Sequence, residues 1–289
     1  MGDILYAWAC PAFIEGFPMD HTWVTSYDNR VLKYKDIAEV IRNNGLYWFC
    51  WGDFHPKGER HEKDTGFLGS ANGDYNYSSC ICAPNLDSRQ HAEARGTIYY
   101  YGVDGVCHQL ANQILWSSAS LGHPPLTVSQ ALGYRTTKAL YGEYGVNVQD
   151  WELKKSQCSR PESSVDSGAL GVIAVAKQPE STGRREMPAT RDSFEDEASS
   201  ILKSFHQEDK LDILISLRRA HQAKLMELRK QIASGKKIDA SEINAMHNQF
   251  FRQVEKLIHP DAFQQLFGMP IETVANVVDQ RVVDMVHQN

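Results

Sequence analysis

GVDGVCHQLANQIL, residues 102–115, decides how the first half of this chain is read. Two glycines, 102 and 105, mark a tight turn, and Leu110, Ala111, Ile114 and Leu115 then recur at helical spacing. Cys107 falls at the joint, on the first turn of the expected helix. The first N–H groups of a helix are unpaired and carry the positive end of its dipole. A thiol there is expected to ionise more readily and to lie beside donors able to hold an oxyanion. The alternative is a small buried side chain, the commonest state of free cysteine.

Working outward, a thiol nucleophile requires a base. His21 opens HTWVTSY (21–27), a segment that alternates as a strand does, and is the expected base. His108 is adjacent in sequence, but a helix turns it about 100° away from Cys107. Asp53, at the end of GLYWFCWGDF (45–54), is the expected orienting residue, with Asn44, Asp20 and His55 as rivals. Further strands or hairpins are expected in GTIYYYGV (96–103) and LTVSQALGYRTTKALYG (126–142). A helix is expected over KDIAEVIRNN (35–44), stopped by Gly45. Strands interrupted by helices predict an α+β domain over residues 1–153.

Residues 154–198 are rich in Ser, Pro, Glu and Arg and read as a linker, with GALGVIAVA (168–176) as an apolar island. From 199 to 289 a helical bundle is expected. Leu214, Leu217, Leu225, Leu228 and Ile232 form one stripe ending at Gly235, and Asp239-Ala-Ser-Glu242 starts the next helix. Pro260 opens a helix that stops at Gly268, and IETVANVVDQRVVDMV is expected as a final helix after Pro270. His206, His221, His247 and His259 fall on polar faces or helix ends and receive no role.

Six cysteines in 289 residues do not make a disulfide framework, and free thiols are expected. The long polar stretch 55–95 reads as a loop. Its Cys80 and Cys82, with His61, His91 or Cys107–His108, offer a zinc or redox alternative, but the spacing lacks the paired Cys-x-x-Cys of zinc ribbons. No metal and no cofactor is therefore expected. Most of the aromatic residues are expected in the core. A net charge of −6 counts against a nucleic-acid surface. No apolar run reaches the length of a membrane span, and the start MGDILYAWACPAF has neither a basic leader nor the Ser/Thr of a myristoylation signal, so a cytoplasmic location is expected. No Walker loop, Rossmann fingerprint, HExxH or GxSxG is present.

Histidine on an early strand, a polar residue on the next and cysteine afterwards at a helix start resembles the circularly permuted branch of the papain-like thiol enzymes. That branch includes NlpC-type cell-wall amidases and the lecithin:retinol acyltransferase group. The resemblance covers roughly residues 1–150. It implies a papain-like antiparallel sheet packed on a nucleophile helix, with Cys107 as nucleophile, His21 as base and Asp53 as the orienting residue. It further implies a hydrolase or acyltransferase acting on an amide- or ester-containing substrate, peptides included. The helical part would then be regulatory or serve protein contacts or oligomerisation. A non-catalytic interaction protein on the same scaffold is the competing expectation.

Overall fold

A computed structural model describes residues 3–12, 17–31, 48–49, 65–73, 97–118, 125–151 and 193–287. The architecture is α+β. Strands β1 (Asp3–Ala12), β2 (Met19–Thr25), β3 (Trp48–Phe49) and β4 (Gly66–Gly73) form one antiparallel sheet in the order β3-β2-β1-β4. The helices are α1 (Cys107–Ser118), α2 (Tyr134–Tyr141), α3 (Ser193–Ser204), α4 (Leu211–Ala233), α5 (Ala240–Glu255), α6 (Pro260–Phe267) and α7 (Gln280–His287).

Register assigns the two faces of the sheet. Tyr6 lies opposite Thr25, Trp8 opposite Trp23 and Cys10 opposite His21. Directly opposed residues share a face. One face therefore carries Trp8, Cys10, His21 and Trp23, with the Trp8 indole N–H donating to Thr25 Oγ1 at 2.8 Å. The other carries Leu5, Ala7 and Ala9, which belong to the main core together with Leu110, Ile114 and Leu115 of α1. Helix α1 packs chiefly on β2.

From Cys107 to Leu115, helix α1 is buried on all sides. Opposite its apolar residues stand Gln109, Asn112 and Gln113, all fully buried. Their carboxamides clamp the surrounding loops. Gln109 donates to Gly142 O, Asn112 to Glu143 O while accepting from Val128 N–H, and Gln113 donates to Tyr144 O and Thr97 Oγ1. Each buried amide is thus satisfied, as the interior requires.

Several expectations are corrected. Within the expected strand 96–103, the described residues 97–103 form none, because the amides of Tyr99 and Tyr100 donate to the Asp104 carboxylate and are unavailable to a ladder. Part of 126–142 is helical: Tyr134–Tyr141 lies between Gly133 and Gly142, both at positive φ. Strand β4 falls inside the expected polar loop 55–95. A helix begins at Ser193, within the expected linker, and buries Phe194, Ala198 and Leu202. Residues 270–279 are not helical: Asn248 Oδ1 accepts from Ala275 N–H and Asn244 brackets the backbone of Val278 on both N–H and C=O. Side chains of α5 thus take up backbone groups that a helix would bond internally, and only Gln280–His287 is helical. By contrast, the expected cap at Asp239 and the Pro260 start and Gly268 stop of α6 are present as read. The helix at 35–44 and the island 168–176 lie outside the described residues.

The helical part shares one buried cluster with the sheet and α1. Its docking converges on the turn 102–104. Val278 packs on Gly102, where a Cβ would lie 2.6 Å from Val278 Cγ1 and where φ is 81°. Gly102→Ala is expected to cost about 1–3 kcal/mol through left-handed backbone strain, plus the steric overlap. Urea denaturation should show Gly102→Ala/Val278→Ala recovering only the steric share relative to the single alanine loss at 278. Wild-type stability in Gly102→Ala would contradict this packing.

Candidate functional site around Cys107

The turn before α1 is built on a buried carboxylate. Asp104 is fully buried and accepts the amides of Tyr99 and Tyr100, each at 3.0 Å, and Asn147 Nδ2 at 2.7 Å. Arg229 of α4 completes the set, with Nε 2.9 Å from Asp104 Oδ1. Burial raises the carboxyl to about 6 against the opposing pull of Arg229 and these donors. The partners of the side chain are hydrogen-bond donors and one cation, so the geometry calls for the ionised form.

The turn delivers Cys107 to the first residue of α1. Val106 precedes it as the cap residue, and Gln109 Oε1 reaches back to the Val106 N–H at 3.1 Å. The Cys107 sulfur lies 3.8 Å from Asp20 O on β2. Around it stand the N–H and hydroxyl of Thr22 and the N–H groups of His108 and Cys107, each of which favours a thiolate. Burial outweighs them, and the thiol is pushed up to about 11.

The histidine beside Cys107 is His108. Its Nε2 is 3.0 Å from Asp20 O, the same carbonyl that the sulfur approaches. Because that carbonyl can only accept, Nε2 carries the proton, and the bare Nδ1 lies 2.8 Å from Thr137 Oγ1, whose one proton it shares with the Tyr134 carbonyl at 3.0 Å. Burial lowers this imidazole to about 3. The 100° separation expected on a helix did not allow for both side chains curling onto one strand end.

His21, the expected base, lies on the other face of the sheet. Its ring stacks on Trp23 at 5.8 Å between centroids, and its cross-strand neighbour is Cys10. Strand alternation is the reason: Asp20 and Thr22 approach the Cys107 sulfur, so the residue between them points away. The structure therefore brings together Cys107, His108, Asp20 and Thr22, and puts His21 on the opposite face of the sheet, where its charge still acts on His108. Asp53, the expected orienting residue, lies outside the described residues, as do Asn44, His55, His61, Cys80, Cys82 and His91. Among the described residues no group of three or more His, Cys, Asp or Glu side chains is placed to hold a metal ion. No helix is long and apolar enough to cross a membrane among them.

No family model, curated protein or solved structure matches the chain.

Two histidines that the sequence left without a role are buried and coupled to the turn. Tyr141 donates its hydroxyl proton to Gly102 O at 2.8 Å and is 2.7 Å from His247 Nε2. Since the carbonyl takes the phenol proton, His247 Nε2–H donates to the phenol oxygen. His247 Nδ1 then accepts from His221 Nε2 at 3.2 Å. Each proton in this row is assigned by the one carbonyl at its end. Burial lowers His221 to about 4 and holds His247 well below the usual imidazole value.

These depressed bases fix a sign. The unfolded chain binds their protons first, so the stability they contribute is full above about pH 6.5 and is lost as pH falls through about 4. Asp104 runs oppositely: its contribution is present below 3.8 and fades as pH rises to about 6. The imidazole part is therefore read as a difference. The urea-unfolding stability gap between wild type and His221→Gln should shrink as pH is lowered from about 7 to about 4.5. A gap that stays constant over that range would contradict a buried neutral His221.

Proposed function

We propose that the chain is a non-catalytic interaction protein, with the sheet, the Cys107 turn and the helical part forming one scaffold. The environment of Cys107 carries this reading. A thiol nucleophile must be ionised, or pass its proton to a base, near neutral pH. At a pKa of about 11 only on the order of one thiol in 10⁴ is ionised at pH 7. Proton transfer to His108, lowered to about 3, is uphill by on the order of 10 kcal/mol. Cys107 as a whole residue is 4 % exposed, so a substrate carbonyl has little room to approach it. In this reading Cys107 fills space between α1 and β2, and function resides in surfaces that the scaffold presents.

One observation favours a second reading, a cysteine-dependent hydrolase or acyltransferase of the permuted papain-like type. The donors around the Cys107 sulfur form the kind of cradle that holds a thiolate or an oxyanion. That enzyme would have to admit water and substrate to Cys107, and would need His21 or another base on the α1 side of the sheet.

Alkylation separates the two. With iodoacetamide at neutral pH and peptide mapping, Cys107 in the folded protein is expected to react at least about 100-fold more slowly than a free thiol, as inert buried cysteines do. His21→Ala should leave that rate unchanged. Labelling of Cys107 as fast as a free thiol, and its loss in His21→Ala, would establish the dyad and remove the scaffold reading.

A further inference from the structure

Strand β4 forms one edge of the sheet. It pairs with β1 on one side, and Gly66–Gly73 make no backbone bond beyond that ladder among the described residues. In an antiparallel pair every second residue turns both its N–H and its C=O away from the neighbouring strand. The outer side of β4 therefore carries a row of donors and acceptors, and Gly66, Phe67, Ser70 and Asn72 are exposed. Such a row is a template for a further strand.

Proteins ordinarily block such an edge with charge, proline or a bulge. The strand, GFLGSANG, holds no charged residue and no proline. One bulge is present: Ala7 lies opposite Gly69 and Trp8 opposite Phe67, which leaves Leu68 as the extra residue. The regular stretch is therefore Gly69–Gly73. Arg30 lies over the Phe67 ring, 4.1 Å from its centroid and outside that stretch, and is neutralised by Asp28 at 2.6 Å.

The strand is suited to its own copy. A two-fold axis at Ala71 sets Ala71 opposite Ala71, Ser70 opposite Asn72 and Gly69 opposite Gly73. Whichever residues turn outward, this register keeps them together, because 69, 71 and 73 meet one another, as do 70 and 72. Opposed residues share a face, and Ser70 and Asn72 already lie on one face, opposite Tyr6 and Ile4 of β1. All these side chains are small and uncharged, so two backbones can approach without clash or like-charge repulsion. Elsewhere the chain's net charge of −6 disfavours contact between copies. The opposite edge, β3, spans only Trp48–Phe49 among the described residues, which is too short to receive β4. The contact is thus isologous and closes at two chains.

We propose that two copies of this chain pair antiparallel through Gly69–Gly73 of β4, joining their sheets into one. The proposal goes beyond the scaffold reading and does not depend on the state of Cys107. Residues 69–73 span about 17 Å. A contact of that length falls short of a standard interface, so the dimer is weak, with a Kd in the micromolar range.

The test is analytical ultracentrifugation of the full chain from about 1 to about 200 µM. Wild type should pass from monomer to dimer over that range and form nothing larger. Ser70→Lys/Asn72→Lys, at exposed positions, sets lysines directly opposite one another and should weaken association at least about 10-fold. Ser70→Glu/Asn72→Glu should do the same, and both variants should keep wild-type circular dichroism and thermal unfolding. Mixed one to one, the two variants place Lys opposite Glu and should form a heterodimer at least as tight as the wild-type dimer. A variant that fails to fold leaves the other to show the loss. Wild type monomeric throughout, growth beyond the dimer, association that the folded variants retain, or folded variants that do not pair when mixed would overturn the edge assignment. A monomer with an inert Cys107 removes the dimer alone. A reactive, His21-dependent Cys107 with the dimer intact removes the scaffold reading alone.

Discussion

The carboxylate of Asp104 is the interaction on which the rest depends. A fully buried acid would be costly alone, but it gathers two backbone amides, a side-chain amide and a guanidinium around two oxygens. Those contacts set the turn that starts α1, and one of them, an ion pair, comes from α4, some 125 residues later in the chain. The Val146 amide donates to the Asp104 carbonyl as well, tying in the segment after α2. The neighbouring Gly102 receives Val278 on one side and the Tyr141 hydroxyl on the other. Local turn chemistry and long-range docking are therefore one construction.

That construction explains the state of Cys107. The turn drives the head of α1 against β2, where the sulfur meets Asp20 and Thr22 and is shut from water. The same helix-start amides that lower a thiol pKa at an open site are present here, and desolvation outweighs them. Position at a helix N-terminus is thus half of what activates a cysteine. The other half is a polar, water-accessible surround, and the sheet occupies that space.

Much of the fold was legible in the sequence, and the gaps have physical causes. Strand β2, the start of α1 at Cys107, the Asp239 cap and the Pro260–Gly268 bounds of α6 all rest on local rules and are seen as read. The segment 96–103 carries β-forming residues but loses its ladder amides to Asp104, a contact that spacing does not announce. GYRTTKALYG holds good helix formers between two glycines, while its paired threonines carry strand propensity. Residues 270–279 have helical periodicity, but two asparagines from another helix take up the backbone groups of Ala275 and Val278. The buried His221–His247 pair was invisible because partners 26 residues apart meet only by packing. For α1, a signal was present: residues 105–118 carry no Asp, Glu, Lys or Arg, which suits a helix buried on every side. At the site, the order histidine, then cysteine, pointed to a dyad, whereas the one-residue alternation of β2 sends His21 to the face opposite Cys107.

The most direct measurement is the ¹³Cβ chemical shift of Cys107, followed by NMR while pH is raised from about 6. The account predicts a thiol signal that holds its position through neutrality and moves only near pH 11 or on unfolding. A midpoint below about 8.5, the ordinary value for a free cysteine, would contradict it.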